Sequence, residues 1–485
     1  MNVVKDESLN REVGAVQTEC SAGQMEFQVF GGRRVEAAFD GGHQSSDAGV
    51  LLLREVAERT GLIDRFASCF RDHRRPERIE HTVEQLLGQR VFGQALGYED
   101  LNDHDRLRDD VLLALAVGKP DLTGAERRQA RDRGHALAGR STLNRLERTE
   151  SEPSRYHKLV YDRTAIEDGF VDHFLDAHAR SPSRIVLDLD ATDDPLYGEQ
   201  EGRFFHGYYR HYCYLPLYIF CGGFVLWSEL RRSNIDGAAG SVEALDRIVG
   251  RIRARWPEVE IWIRADSGFA RESIMAWCES NGVEYVLGLA RNARLVRAIG
   301  AELEAVRQQV ERTGRSARRF RELRYRTKKS WSRERRVVAK AEHLRGKANP
   351  RFVVTSLPAE RVRARVLYER TYCARGDMEN RIKEQQLGMF ADRTSTATMR
   401  ANQLRLWIGS LAYTLVRDLR RLGLEGTSLA RAQVDTIRTR LLKVSGVVRV
   451  SVRRVRIALA SSFPLQAVFA RALHNLQHAA HPLQI

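Results

Sequence analysis

The sequence predicts an α/β protein: a central sheet of mixed strand direction, a helical region before it, a basic β-rich insertion within it, and a smaller, mostly helical region after it. Three observations carry this expectation. Hydrophobic periodicity switches from helical to strand-like near residue 184. Three strands then run in succession before helices begin to alternate with them, which indicates a mixed rather than a purely parallel sheet. Finally, residues 312–347 hold 15 Lys or Arg against only Glu322, Glu334 and Glu342, yet keep strand-like alternation. With 485 residues the chain exceeds one compact core, so several domains are expected.

Residues 1–45 show no sustained pattern and read as a flexible or partly ordered segment. Residues 46–175 read as an all-α N-terminal domain. Ser46 or Asp47 can cap a helix with Val50, Leu51, Leu53 and Val56 on its apolar stripe, closed near Gly61. Further helices are expected over 81–96 and 109–117. Residues 176–292 hold strands at 184–190, 213–221, 223–230, 258–264 and 283–289, with Gly222-Gly223 as a tight connection and helices over 241–256 and 270–281. Residues 293–363 are the basic insertion, with strands near 318–326, 335–342 and 351–357. A helix over 364–387 lies in the next block, 364–395. Residues 396–485 add a long helix over 402–422, a basic strand-like stretch over 441–459 and a final helix after Pro464.

A formal charge of +16 points to a polyanionic partner, nucleic acid being the usual one, although a coding bias toward Arg gives the same excess. The six cysteines form no C-x-x-C pair and read as reduced thiols of a cytosolic protein. The longest apolar run, 214–227, is interrupted by Pro216, Gly222 and Gly223, and residues 1–20 lack an apolar core, so neither a membrane span nor a signal peptide is expected.

Chemistry concentrates in carboxylates. Asp190 ends the first strand and Asp266 the fourth, each followed by small or polar residues. Acids at the carboxyl ends of neighbouring strands sit where open α/β sheets bind ligands, and together they can hold divalent metal for phosphoryl transfer. Hard oxygen donors without Cys/His clusters suit Mg²⁺, with Mn²⁺ able to substitute, rather than zinc. The bland alternative is that each Asp merely caps the turn after it. Asp188 shares a face with Asp190, and Asp193 and Asp194 are further candidates; the strand-end position favours Asp190. A third acid is expected from a helix, where Tyr372, Arg375, Glu379 and Lys383 fall in one stripe. The same spacing also describes a surface salt-bridge ladder.

Together the contexts Leu187-Asp188-Leu189-Asp190-Ala191-Thr192 and Ile263-Arg264-Ala265-Asp266-Ser267-Gly268-Phe269, with Tyr372, Arg375 and Glu379, resemble the DDE transposases of bacterial insertion sequences. The similar branch carries a Tyr-x2-Arg-x3-Glu signature and a β-rich insertion before its catalytic Glu. Segments 97–103 and 141–147 look like one subfamily of these enzymes. In the family a Lys often follows the Glu after six further residues; here Gln386 stands there and the nearest Lys is Lys383.

The resemblance implies a ribonuclease-H-like core with Asp190, Asp266 and Glu379 as metal-binding catalytic residues. It implies an enzyme that binds double-stranded DNA at inverted element ends and releases the element through a DNA hairpin. The 3′ ends are then joined to target DNA, by a homodimer in the synaptic complex. Residues 46–175 would bind DNA ends, and 396–485 would bind DNA or dimerise. Tyr372, Arg375 and Lys383 would contact DNA, as would Lys328, Lys329, Arg333, Arg335 and Arg336 of the insertion. Trp331 would stack a flipped base, although an ordinary sheet-face Trp fits the same pattern. The competing expectations are a ribonuclease-H-like nuclease or resolvase that cuts without joining, and a non-catalytic transposase remnant. A plain nuclease needs little beyond the core, and no acid is missing.

Overall fold

A computed structural model describes residues 24–344 and 346–479. Its centre is a nine-stranded sheet whose path runs Phe224–Glu229, Leu217–Cys221, Arg184–Ala191, Glu260–Ala265, Glu284–Leu289, Arg351–Thr355, Arg335–Leu344 and Ala317–Tyr325, with Lys347–Ala348 paired beside Arg335–Leu344. The Arg184–Ala191, Glu260–Ala265 and Glu284–Leu289 strands are parallel; all other pairings are antiparallel. A first strand flanked by an antiparallel hairpin on one side and two parallel strands on the other is the ribonuclease-H-like arrangement. Gly222, at φ 57°, makes the hairpin turn that a side chain would strain.

The two faces of this sheet differ. Ile185, Leu187, Leu189, Ile263 and Ala265 pack with Leu245, Ile248 and Ile252 of the Ser241–Arg255 helix in an apolar core. The opposite face presents Val186, Asp188, Trp262 and Arg264, because side chains alternate along a strand. Two residues beyond the registered Arg264–Asp188 pair, Asp190 and Asp266 emerge on this polar face at the same sheet edge.

Several expectations need correction. Residues 213–221 do not form one strand: His211–Tyr214 joins a separate three-stranded sheet with Asp194–Pro195 and Phe204–His206, and Leu217–Cys221 alone enters the main sheet. The break falls at Leu215-Pro216, where proline donates no backbone hydrogen bond. The basic segment opens with two helices, Ala293–Ala298 and Gly300–Thr313, and its strands extend the core sheet directly through the pairing of Glu284–Leu289 with Arg351–Thr355. Residues 364–388 are not one regular helix: a π turn at Leu367–Tyr372 and a 3-10 turn at Cys373–Arg375 precede the α turn Gly376–Lys383, and Glu384–Gly388 is again π.

The flanking regions are also less separate than their sequences suggest. The Val50–Thr60 and Val83–Leu96 helices share one hydrophobic core with Met399–Asp418 and Gln466–His478. His43–Ser45 pairs with Gly446–Ser451, and a Cβ on Gly49 would lie 2.2 Å from Leu442 Cα. Asp47 caps nothing; Gly49 holds the cap position, while Asp47 accepts from Tyr98 Oη (2.6 Å) and Lys443 Nζ (2.5 Å). Of the N-terminal segment, Met25–Phe30 and Arg33–Ala37 form an exposed hairpin, and residues 1–23 lie outside the described residues.

Candidate active site at the sheet edge

Asp188 and Asp190 lie on one face but have different partners. Asp188 is buried and takes a bidentate ion pair from Arg264 (2.5 and 2.7 Å), whose third nitrogen reaches the Thr371 carbonyl at 2.7 Å. Asp188 therefore fastens the acid-bearing helix to the sheet. Asp190 stands at the edge, with Oδ1 on the Ala191 amide (2.9 Å) and Oδ2 on Arg375 (3.2 Å). The same guanidinium donates to Glu379 at 2.6 Å. Arg375 thus holds the first and third acids at once.

Asp266 caps the short Ser267–Phe269 turn, its Oδ1 accepting from the Gly268 amide at 2.8 Å. The capping role foreseen as an alternative is real and occupies one oxygen; Oδ2 makes no hydrogen bond among the described residues. Burial pushes the Asp190 carboxyl up to about 6; the Arg375 guanidinium opposes that rise, and the charges of Asp266 and Glu379 add to it. A site crowded with negative charge in this way fits a cation. Among the described residues, however, no three His, Cys, Asp or Glu side chains are gathered closely enough to share one. The geometry supplies the reason, since Arg375 stands between two of them.

Gly288 explains how Tyr372 reaches this edge. A Cβ there would fall 2.6 Å from the Tyr372 hydroxyl and 2.8 Å from the Ser267 amide. Beyond Tyr372 a cleft of about 680 Å³ opens, lined by Ser267, Arg291, Lys347, Arg351, Tyr368 and Tyr372 among others. Tyr368 and Tyr372 lie 5.6 Å apart along its wall. Lys383 is exposed and makes no ion pair among the described residues, whereas Gln386 donates to the Asp193 carbonyl at 3.2 Å, on the loop after Asp190.

The insertion residues divide. Trp331 is only 4% exposed, edge-on to Tyr325 at 5.7 Å, with the Arg335 guanidinium over its ring; it offers no face to a base. Arg335 is buried between Glu272 (2.7 Å) and Glu279 (2.8 Å), Arg336 pairs with Glu322 (2.7 Å), and Arg333 is also paired with Glu279. Trp331, Arg335 and Arg336 are thereby withdrawn from a ligand, whereas Arg333 is paired but exposed. Lys328 and Lys329 are exposed and unpaired among the described residues. Sequence reasoning missed the roles of Arg264 and Gly288; Arg264 lies inside the Ile263–Phe269 motif, and its two-residue spacing from Asp266 was a usable signal.

A mixed sheet carrying acids at the carboxyl ends of adjacent parallel strands, with a third on a helix against the same face, defines a ribonuclease-H-like enzyme of phosphoryl transfer. Residues 27–481 match the transposase DDE domain, group 1, and the chain belongs to that family of metal-dependent DNA-cleaving and DNA-joining enzymes. No curated protein matches it. Among solved structures it is similar to a piggyBac transposase synaptic complex with hairpin DNA, at 12% identity over 81% of this chain and 79% of that one, with a TM-score of 0.35. No described helix is long and apolar enough to cross a membrane.

Proposed function

We propose that this chain is the transposase of a bacterial insertion sequence, acting on double-stranded DNA in the cytoplasm. It binds terminal inverted repeats as a homodimer, hydrolyses one strand, releases the element through a hairpin and joins the 3′ ends to target DNA. The single observation that carries the reading is Arg375 bridging Asp190 and Glu379 beside Asp266. In this reading the guanidinium is a place-holder. It neutralises the acids until DNA arrives, then transfers to a phosphate, for which a planar guanidinium is well matched.

Asp190, Asp266 and Glu379 would then hold Mg²⁺, or Mn²⁺ in its place. Bound there, such ions activate the attacking oxygen and stabilise the leaving one. Tyr372 and Arg375 would position the phosphate, and Arg291, Lys347 and Arg351 would draw the strand into the cleft. With Trp331 buried, the stacking surface for a flipped end base passes to the half-buried Tyr372 at the cleft. The exposed Arg449, Arg453, Arg454 and Arg456 on the Gly446–Ser451 and Arg454–Leu459 hairpin supply a basic arm for the element end.

The test is incubation of purified protein and DNA bearing the element end with Mg²⁺, followed by separation of nicked, hairpin and joined products. Asp266→Asn should lower all three by roughly a thousandfold or more while end-binding survives, because metal chemistry and phosphate contacts use different groups. Nicking without joining would favour the nuclease reading. Cleavage that persists in the variant would remove Asp266 from the chemistry.

A further inference from the structure

After Asp190 the chain does not return directly to the main sheet. It builds the small sheet in which His211–Tyr214 pairs with both Asp194–Pro195 and Phe204–His206. This excursion carries aromatic rings outward rather than into a core. Tyr208 is 84% exposed, Phe205 57% and Tyr212 45%. The rings are ordered: Tyr208 meets Tyr209 edge-on at 5.1 Å, Phe205 meets Tyr212 edge-on at 5.6 Å, and the Arg203 guanidinium lies 4.6 Å above Tyr212.

The turn between the strands is strained. Arg210 adopts φ 61°, and its amide donates to the His206 carbonyl at 2.8 Å. A left-handed arginine has a conformational cost that a glycine would avoid. In return the turn holds Tyr208 and Tyr209 side by side at the tip.

The position of this hairpin decides what it faces. His211 Nε2 lies 2.8 Å from Asp193 Oδ2, three residues beyond Asp190, though out of line for a hydrogen bond. Burial pushes the Tyr209 phenol up to about 12, with the charges of Asp193 and Asp190 adding to it, which places Tyr209 within the field of the first acid. In the sheet the order is Leu217–Cys221, Arg184–Ala191, Glu260–Ala265, Glu284–Leu289. The cleft with Tyr372 lies beside Asp266 and Glu284–Leu289; the aromatic hairpin lies on the Asp190 side. The two surfaces therefore flank the carboxylates from opposite directions, and a strand whose phosphate sits at the acids meets one on each side.

We infer that the hairpin spanning residues 204–214 is a second nucleotide site, a wedge that stacks unpaired bases of the DNA on the side of the scissile phosphate away from the cleft. This inference rests on the DNA-cleaving reading above. Rings stacked on bases are indifferent to sequence, as suits flanking or target DNA, and the guanidinium over Tyr212 adds attraction for the strand. Inserted side chains that unstack a step also let the duplex kink toward an active site.

The experiment compares the full-length protein on two duplexes of equal length, one fully paired and one with a central two-nucleotide mismatch containing 2-aminopurine. Anisotropy reads affinity and 2-aminopurine quenching reads stacking. The parent should prefer the mismatched duplex by about tenfold and quench its fluorescence. Phe205→Ala with Tyr208→Ala should abolish the preference while leaving the paired-duplex affinity and the circular-dichroism melt unchanged; Tyr208→Trp should retain it. A preference that is absent in the parent, or unaltered in the double alanine variant, overturns the wedge. So does a fall in the DNA-free sedimentation coefficient of that variant, which would show a second copy of the chain covering the rings. Because no cleavage is scored, failure of the transposase reading, seen as nicking without joining, leaves this outcome separately legible.

Discussion

The basic strands of residues 317–355 and the aromatic hairpin of residues 204–214 make opposite uses of residues that look like DNA ligands. In the first, guanidinium groups are dense in sequence and several are spent internally: Arg335 and Arg336 are buried, and Arg333, though exposed, shares Glu279 with Arg335, while Arg319 and Arg324 stay exposed and unpaired among the described residues. In the second, few charges are present, yet rings that would ordinarily fill a core stand in solvent. Charge density therefore measures potential attraction, while availability is decided by which partners folding has already supplied. A buried arginine between two glutamates is an element of architecture.

The largest expected break in this comparison is Arg335→Ala. It removes the ion pairs to Glu272 and Glu279, leaving them Ser332 and Arg333 respectively, and uncovers the Trp331 ring, so it should cost about 3–5 kcal/mol in urea unfolding. Its DNA affinity per folded molecule should stay at the parent's value. If stability holds and affinity falls, Arg335 reaches DNA after all and the contrast collapses.

Next comes Gly288→Ala. The new methyl meets the Tyr372 hydroxyl and the Ser267 amide, backbone included, and should cost about 1–3 kcal/mol. Cleavage should suffer more than stability does, since the displaced groups are those beside Asp266. An unchanged rate with an unchanged melt would show that the close approach is dispensable.

A smaller effect separates the acids from their surroundings. The Asp190 carboxyl is pushed up to about 6, above its ordinary value of 3.8, so the folded state binds more protons than the unfolded chain between those values. Stability therefore falls as pH rises through that window and stays lowered above it. Asp190→Asn should raise Tm above pH 6, by an equivalent of about 1 kcal/mol, and the two curves should converge below pH 4. Added Mg²⁺ should raise the parent's Tm and leave the variant's unmoved. A variant less stable than the parent at pH 7.5 would mean that its pairing with Arg375 outweighs burial.

The finest test returns to the insertion. Lys328→Ala with Lys329→Ala removes two exposed charges and should reduce the slope of log affinity against log salt by about one per residue, while Arg333→Ala leaves it unaltered.

Much of this was legible in the sequence because strands and helices advertise themselves by period. The Arg184–Ala191 strand, its Gly222-Gly223 hairpin and the alternation through Glu284–Leu289 follow from apolar spacing alone. Asp190 and Asp266 could be placed at one edge because strand ends have a fixed relation to the sheet. What remained hidden depends on partners distant in the chain. Nothing local shows that Arg264 will find Asp188, that Trp331 will be roofed by Arg335, or that the π turns before Glu379 will shift its helical stripe. The aromatic residues within 204–212 lie outside every strand expected from the sequence, and period cannot tell a ring that faces a core from one that faces water.

The pairing of His43–Ser45 with Gly446–Ser451, and the contact of Gly49 with Leu442, have a consequence for the timing of synthesis. A ribosome emits the early helices long before the partners they need. At about 5–20 residues per second, the Val50–Thr60 helix waits on the order of 20–80 s for Met399–Asp418 and the strand after it. Until then the early helices lack part of the core they share with the end of the chain, and the His43–Ser45 strand has no partner to dock against. A polypeptide broken off before residue 446 should accordingly be protease-sensitive and should not compete with intact protein for DNA ends. The fold thus ties the first helices of a DNA-cleaving enzyme to the last strands and helix its ribosome releases.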